Sequence, residues 1–195
     1  TLQDMNGDAD LPTRHRFLSI IDREARRMQQ LVIDLLSISR VEADRFRRPT
    51  TPVDLAAIAR NTVSQLRDSE DVRPKDIVTR IDDAAQPMLG DEAQLGQLAH
   101  NIVSNAMKYG RAGTPVTVEL VREGKRVRLS VSDEGDGIAP DHLPRLTERF
   151  YRVDEARSRS VGGTGLGLAI VKHISERHQG QLDIESELGK GTKVS

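Results

Sequence analysis

The sequence predicts an α+β fold, in which one long helix precedes an α/β sandwich whose helices cover one face of a mixed sheet. Three observations lead to this prediction. Apolar residues recur every three or four positions between residues 13 and 45, which is the period of an amphipathic helix. Pro49 and Pro52 then interrupt the pattern, because proline cannot continue a helix. Beyond them, segments of alternating apolar residues, typical of strands, are separated by helical segments.

The first element, residues 13–45, is predicted to be one arm of a helical hairpin. A single helix has nothing to bury its apolar stripe against, so we expect a partner helix and a four-helix bundle formed by two hairpins. The alternative is a lone helix that docks on the following domain. The residues with coiled-coil spacing are Leu18, Ile21, Ala25, Met28, Val32, Leu35 and Ser39, widened by Phe17, Ile20, Leu31 and Ile38.

The proline-containing linker predicts two domains, residues 1–47 and residues 48–195. In the second domain, Asp54 is placed to cap a helix that follows the linker. Asp91 and Gln94 have the spacing of a capping box for the next helix, which we expect to end at Gly110.

Strands are predicted at Ile77–Ile81 and in a hairpin whose apolar residues alternate on both sides of a turn at Glu123-Gly124. A further helix is predicted over Leu166–His178, with Gly180 as its end. Another strand is expected to begin at Leu182.

The composition excludes several classes of protein. The 29 basic and 30 acidic residues give a net charge of −1, which predicts no nucleic-acid partner. The chain has no cysteine, so disulfides and thiolate metal sites are excluded. No apolar run approaches the ~20 residues that span a bilayer, and we expect no membrane contact by this chain.

A glycine-rich segment, Gly162-Gly163-Thr164-Gly165-Leu166-Gly167, runs directly into the last predicted helix. Such a loop presents free N–H groups and the positive end of the helix dipole, which together bind phosphate. The alternative is a glycine turn that only packs the helix on the sheet.

The helix opened by Asp91 carries a polar face with helical spacing that includes Asn101, Asn105 and Lys108. Asparagine is unfavourable inside a helix, so two amides one turn apart indicate a function. Their oxygens suit a hard cation such as Mg²⁺. The alternative is a solvated polar face.

Asp133 ends an apolar strand directly before Gly135 and Gly137. A carboxylate at the bottom of a pocket can accept a hydrogen bond from an adenine amino group, whereas the alternative is a simple Asp-Gly turn. The long charged segment from Phe150 to Gly162 is predicted to be a mobile lid over the site.

Four segments resemble, in chain order, the N, G1, F and G2 boxes of the sensor histidine kinases: Asn101–Tyr109, Asp133–Ile138, Glu148–Asp154 and Gly162–Lys172. These kinases belong to the GHKL superfamily, with DNA gyrase, Hsp90 and MutL. Residues 13–45 resemble the second helix of the family's dimerisation hairpin, so the resemblance covers essentially the whole chain. The sequence of His142–Tyr151 most resembles that of the phosphate-regulon sensor kinases.

This resemblance implies a GHKL-type ATP-binding domain with ATP and Mg²⁺ as cofactors. Asn105 is expected to coordinate Mg²⁺ with Asn101 beside it. Lys108 is expected to face phosphate, and Arg152 to reach the γ-phosphate or the docked acceptor. Asn101, Lys108 and Arg152 are therefore the expected catalytic residues. The expected nucleotide-binding residues are Asn105, Lys108, Tyr109, Asp133, Gly135, Gly137, Ile138, Gly163, Thr164, Gly165, Leu166, Gly167 and Leu168.

Asn101 also bears on the reaction. In the ATP-hydrolysing relatives this position is a Glu that activates water, and an amide cannot act as a general base near neutral pH. The resemblance therefore favours an ATP-dependent histidine kinase, which transfers the γ-phosphoryl group to a histidine and then to a response-regulator aspartate. The alternatives are a GHKL-type ATPase and a non-catalytic dimerisation and docking module with a relict nucleotide pocket.

The resemblance further implies a homodimer formed through the hairpin and a response-regulator receiver domain as partner. It also implies a location as the cytoplasmic portion of a bacterial inner-membrane receptor. The family's acceptor histidine lies in a His-Glu-Leu-Arg-Thr-Pro-like segment, and none of the five histidines has that context. We therefore expect a fragment whose acceptor lies upstream of Thr1, which binds ATP but does not phosphorylate itself.

Overall fold

The computed structural model describes residues 11–43, 47–68, 77–82, 87–154 and 163–195. It confirms the α+β fold, with a long helix α1 at Leu11–Ala43 followed by an α/β sandwich. The other helices are α2 at Leu55–Arg67, α3 at Glu92–Tyr109 and α4 at Gly167–Arg177, with a 3-10 helix at Pro140–Arg145.

The main sheet is mixed and has five strands in the order β2-β4-β5-β7-β6. Strands β2 and β4 pair in parallel, whereas the other neighbours pair in antiparallel fashion. Strands β1 and β3 form a separate two-stranded ribbon. The strands are β1 at Thr51–Val53, β2 at Ile77–Ile81, β3 at Met88–Gly90, β4 at Val116–Glu123, β5 at Arg126–Asp133, β6 at Ile184–Glu187 and β7 at Gly191–Val194.

The core lies between the sheet and a layer of three helices. Alternate residues of β4, namely Val116, Val118 and Leu120, are fully buried, as alternation on a half-covered strand requires. Helix α3 lies in the middle of the helical layer, where it contacts α2, α4 and strands β4 and β5. The polar face of α3 is thereby turned away from the sheet.

The helix N-termini are capped largely as the sequence predicts. The Asp54 carboxylate accepts hydrogen bonds from two N–H groups of α2, and the Asp91 carboxylate accepts one from the N–H of Gln94. The capping box at Asp91 is nevertheless only half formed. Its backbone N–H donates to Nε2 of His178 instead, and Oε1 of Gln94 has no hydrogen-bond partner among the described residues.

Two chain reversals differ by one residue from the prediction. The hairpin between β4 and β5 turns at Gly124-Lys125, and Gly124 has a positive φ of 61°. Helix α4 ends with Gln179, not Gly180, in the left-handed region, at φ 57°. The Gly180 N–H bonds the carbonyl of Ser175 at 2.8 Å, which completes a Schellman motif.

Helix α1 combines features of both interpretations of the first element. Its last turns pack on the sandwich, where Ile38 and Val41 are buried against α4. The predicted seam stays exposed, with Leu18 at 60%, Met28 at 67% and Val32 at 56%. A helix docked on the domain thus still carries an uncovered apolar stripe, and the division into domains at residue 47 stays a prediction. No helix within the described ranges has both the length and the apolar composition needed to cross a membrane.

Candidate functional site

A cavity of about 320 Å³ lies at the end of the helical layer, beside the start of α4. Most of its walls come from α3, from the segment after β5, from residues 151–154 and from the glycine loop. Of the predicted site residues, all of which are described, every one except Gly135 and Leu166 lines this cavity: Asn101, Asn105, Lys108, Tyr109, Asp133, Gly137, Ile138, Arg152, Gly163, Thr164, Gly165, Gly167 and Leu168.

Helix α3 presents its polar face to the cavity because its opposite face is held in the core. Leu95, Ile102 and Ala106 are buried, so residues on the other side of the helix turn outward. The side-chain Nδ2 of Asn101 lies 3.4 Å from the carbonyl oxygen of Gly167. A Cβ at Gly167 would lie 3.8 Å from both asparagine amides, those of Asn101 and Asn105. The two amides therefore face the first turn of α4.

Asp133 ends β5 at the far wall of the cavity. Its Oδ1 accepts a hydrogen bond from the Gly135 N–H at 2.8 Å. This bond closes the tight turn that the sequence allowed as the alternative, and it leaves the carboxylate in the cavity wall. Asp133 is thus both a turn residue and a wall residue.

Gly137 is glycine because of the protein's own backbone. Its φ is 69°, and a Cβ there would lie 2.0 Å from the carbonyl oxygen of Glu187. The neighbouring Ile138 N–H donates to Oγ of Ser186 at 2.9 Å. Gly135 is buried at the same turn, outside the cavity lining. A Cβ at Gly135 would lie 2.5 Å from the carbonyl oxygen of Tyr109, so contacts within the chain are sufficient to explain both glycines.

The glycine loop is fixed by contacts on both sides. Gly165 has φ 73°, and its carbonyl oxygen accepts a hydrogen bond from the Phe150 N–H at 2.8 Å. Phe150 is itself in the left-handed region at φ 64°, which is strained for a residue with a side chain. Arg152 donates to the carbonyl oxygen of Gly163. The predicted lid residues 155–162 lie outside the described residues.

Leu166 does not face the cavity. Its side chain is 0% exposed and packs with Ile170 and Ile174 beneath α1. Helix α4 begins at Gly167, and no side chain among the described residues caps its N-terminus. A helix N-terminus of this kind carries N–H donors and a partial positive charge. The first turn of α4 can therefore hold an anionic group in the cavity.

The electrostatics of the wall include His100, one residue before Asn101. Desolvation lowers the pKa of His100, the Lys108 ammonium acts in the same direction, and the Asp34 carboxylate opposes both. His100 thus responds to charges of both signs at the cavity. No pattern in the sequence singles out His100.

Two further groups of cavity residues lie outside the sequence motifs' predicted site residues. Tyr151 lines the cavity, with its hydroxyl 2.5 Å from Nδ1 of His142 and the Arg145 guanidinium 4.2 Å from its ring centroid. Helix α1 supplies Gln30 and Asp34. The sequence signal that could have identified Asp34 is its position, four and seven residues before the buried Ile38 and Val41, on the same face of the helix.

Comparison with known proteins identifies the family of the part of the chain that forms most of this cavity. The family described as "Histidine kinase-, DNA gyrase B-, and HSP90-like ATPase" matches residues 90–195, the part that holds α3, Asp133 and the glycine loop. The phosphate regulon sensor protein PhoR of Pseudomonas aeruginosa is 39% identical over 180 residues, covering 91% of this chain and 40% of the relative.

The sensor-like histidine kinase SenX3 of Mycolicibacterium smegmatis is 37% identical over 183 residues, covering 94% of this chain and 47% of the relative. The chain thus spans less than half the length of these two relatives. Among solved structures, full-length ShkA in complex with AMPPNP has a TM-score of 0.75 and 28% identity, and covers 97% of this chain and 39% of that one.

These matches agree with the resemblance carried by the four sequence boxes. The chain belongs to the family of histidine kinase-, DNA gyrase B- and HSP90-like ATPases, and within it to the sensor histidine kinases.

Proposed function

We propose that the cavity binds ATP together with Mg²⁺ and that the chain is the nucleotide-binding core of a histidine kinase. The observation that carries the proposal is the N-terminus of α4. No described side chain caps it, and it opens onto the cavity opposite Asn101 and Asn105. Free N–H groups on one side and amide oxygens on the other fit a phosphate chain and its cation.

The donor set fits Mg²⁺. Amide oxygens are hard ligands, and Mg²⁺ is usually held by one or two protein oxygens together with waters and substrate phosphates. Asn105 is the proposed ligand, with Asn101 beside it, and Lys108 lines the same wall. When bound, the cation would neutralise phosphate charge. Asn105, Asn101 and Lys108 would hold the phosphates of the nucleotide against the N-terminus of α4.

The bound nucleotide extends from α4 to the far wall. Asp133 is proposed to accept a hydrogen bond from the adenine amino group, and Tyr109 to lie beside the ribose or the base. Arg152 already holds the glycine loop through the Gly163 carbonyl. A guanidinium in this place can bind the γ-phosphate in a forked manner.

Transfer to a histidine is favoured over hydrolysis because the amide of Asn101 cannot activate water. In the proposed step, an imidazole nitrogen of the acceptor bonds to the γ-phosphorus while the bridging P–O bond breaks. ADP leaves with the electron pair, and the imidazole proton passes to solvent. Positioning and charge neutralisation supply most of the catalysis in such transfers.

The partners and setting are also part of the proposal. The exposed stripe on α1 supports a homodimer through a helical bundle, because a row of exposed large apolar side chains marks an interaction surface. A response-regulator receiver domain is the proposed acceptor of the phosphoryl group after the histidine. The proposed parent is a bacterial membrane receptor, with this chain on its cytoplasmic side.

Two measurements test the proposal. Calorimetric titration with ATP should give binding that is tighter with Mg²⁺ than with EDTA. With γ-labelled ATP, the chain alone should take up no label but should label a separately supplied hairpin that carries a His-Glu-x-x-x-Pro segment. Arg152→Ala should transfer weakly.

Three results would contradict this function. Steady phosphate release without an acceptor would indicate the ATPase alternative. Absence of ATP binding would indicate the docking module. Acid-labile label on this chain alone, lost on mutation of His15, would make His15 the acceptor.

A further inference from the structure

Helix α1 docks on the sandwich through a face distinct from its exposed stripe. Ile38 and Val41 pack against Leu166 and against Ile170 and Ile174 of α4, and both are less than 4% exposed. Oγ of Ser37 donates to Oε1 of Gln97 on α3 at 2.5 Å. The last turns of α1 are therefore held against both helices that border the cavity.

Asp34 lies on this docked face and reaches the glycine loop. It is 4% exposed, and one carboxylate oxygen accepts a hydrogen bond from the hydroxyl of Thr164 at 2.7 Å. The other oxygen accepts one from Nε2 of Gln30 at 2.8 Å. The Thr164 hydroxyl in turn accepts the Leu166 N–H at 3.3 Å. A loop hydroxyl and a loop amide are thus committed to a chain of bonds that begins on α1.

A second contact joins α1 to the segment just before the cavity-lining Tyr151. Glu42 of α1 pairs with Arg149, and Nε2 of His173 lies 3.9 Å from the same carboxylate. Arg149 directly precedes Phe150, whose strained backbone is bonded to Gly165. One face of α1 therefore contacts the glycine loop through Asp34 and the segment just before Phe150 through Glu42.

The charge of Asp34 opposes the proposed ligand. The carboxylate lines the same cavity as the glycine loop, where the phosphates of ATP would lie. Like charges repel more strongly in a partly desolvated site than in water. A phosphate held at the glycine loop would compete with Asp34 for the single proton of the Thr164 hydroxyl.

We propose that docking of α1 and binding of nucleoside triphosphate are mutually antagonistic, and that Asp34 is the residue that couples them. This inference rests on the proposed ATP site. By thermodynamic linkage, the factor by which α1 docking weakens nucleotide binding equals the factor by which bound nucleotide weakens α1 docking. A movement of α1 thereby changes the affinity of the cavity, and occupation of the cavity releases α1.

Affinity for ATP with Mg²⁺, measured by calorimetry on the full chain, tests the coupling first. Asp34→Asn removes the charge and keeps an oxygen that can accept from Thr164, so we expect about tenfold tighter binding. Glu42→Gln weakens docking outside the cavity and should also tighten binding, by a smaller factor. The exposed Glu24→Gln on α1 is the matched control and should bind like the wild type.

A thiol probe measures the docking itself. Because the chain has no cysteine, Val41→Cys places a single buried thiol on the docked face of α1. ATP with Mg²⁺ should accelerate its reaction with a thiol reagent. Val118→Cys, buried in the sheet, is the control, and the same ligand should slow its reaction because binding stabilises the folded domain.

The outcomes separate the two proposals. If the wild type and every variant bind no ATP, the proposed function fails and the coupling fails with it. If they bind ATP with equal affinity, or if Asp34→Asn binds more weakly, the coupling is wrong while the ATP site stands. A slower reaction of Val41→Cys with ATP present would also overturn the coupling, since it would show that the nucleotide strengthens docking.

Discussion

The backbone N–H of Asp91 donates a hydrogen bond to Nε2 of His178 at 3.0 Å. The Asp91 carboxylate also pairs with Arg177 at 3.2 Å. The N-cap residue of α3 is thus bonded to the C-terminal end of α4, although the two are far apart in the sequence. These two helices carry the polar wall of the cavity and the helix N-terminus proposed to face phosphate, so this junction fixes their relative position.

The first prediction concerns pH. Nε2 of His178 must be unprotonated to accept from Asp91, while Nδ1–H donates to the Ile174 carbonyl at 2.8 Å. Burial lowers the pKa of His178 from 6.5, and the charge of Arg177 acts in the same direction, although the bond to Ile174 and the charge of Asp91 oppose the shift. A lowered pKa in the folded state gives stability that is complete above pH 6.5 and is lost as pH falls through the folded pKa.

Urea unfolding between pH 8 and pH 5 measures this effect. His178→Gln should destabilise the protein by about 1–3 kcal/mol at pH 8, and the difference from the wild type should shrink as the pH falls. His15→Gln, at an exposed position on α1, is the control and should follow the wild type. A constant difference across the range would remove His178 as the titrating group.

The second prediction concerns the proposed cation ligand. Asn105→Ala should weaken ATP binding in the presence of Mg²⁺ by about 1–3 kcal/mol, the range for loss of a charge-assisted contact. Titration with and without Mg²⁺ is the measurement, and most of the loss should disappear in EDTA. Asn61→Ala, an exposed asparagine on α2, is the matched control. Wild-type affinity in the Asn105 variant would exclude Asn105 from the site.

The third prediction concerns base selection. Asp133→Asn keeps an oxygen for the Gly135 N–H but removes the charge that repels the oxygen of guanine. The preference for ATP over GTP should therefore fall by about tenfold, as expected for one hydrogen bond to a charged group. Competition against a fluorescent nucleotide gives the ratio, with Glu134→Gln, at an exposed position of the same turn outside the cavity lining, as control. An unchanged ratio would leave Asp133 with its turn role alone.

The fourth prediction concerns assembly. Val32→Glu places a charge in the exposed stripe of α1 and should shift the chain from dimer towards monomer in sedimentation analysis. Ser19→Glu, on the opposite side of the helix, should leave the dimer intact. Unfolding curves for both variants check that neither loses the fold. Equal dimer populations in the two variants would show that the stripe is not the dimer surface.

Local patterns in the sequence were sufficient for most of the elements. The helix caps at Asp54 and Asp91, the hairpin of β4 and β5 and the helix after the glycine loop follow from short-range chemistry, because capping and alternation involve neighbours along the chain. Turn positions were predicted less well. Gln179, not Gly180, takes the left-handed conformation at the end of α4, where Gly180 supplies the N–H of the C-terminal motif.

The sequence by itself determined the motif residues that line the cavity, since each motif is contiguous and carries its own chemistry. Only the tertiary structure decided which partners those motifs meet. It brought Asp34 into a hydrogen bond with Thr164 and His178 into one with Asp91, and it buried Leu166 under α1 instead of in the site. Such contacts join residues distant in sequence, and they depend on the packing angle and register of whole helices, which no local pattern specifies.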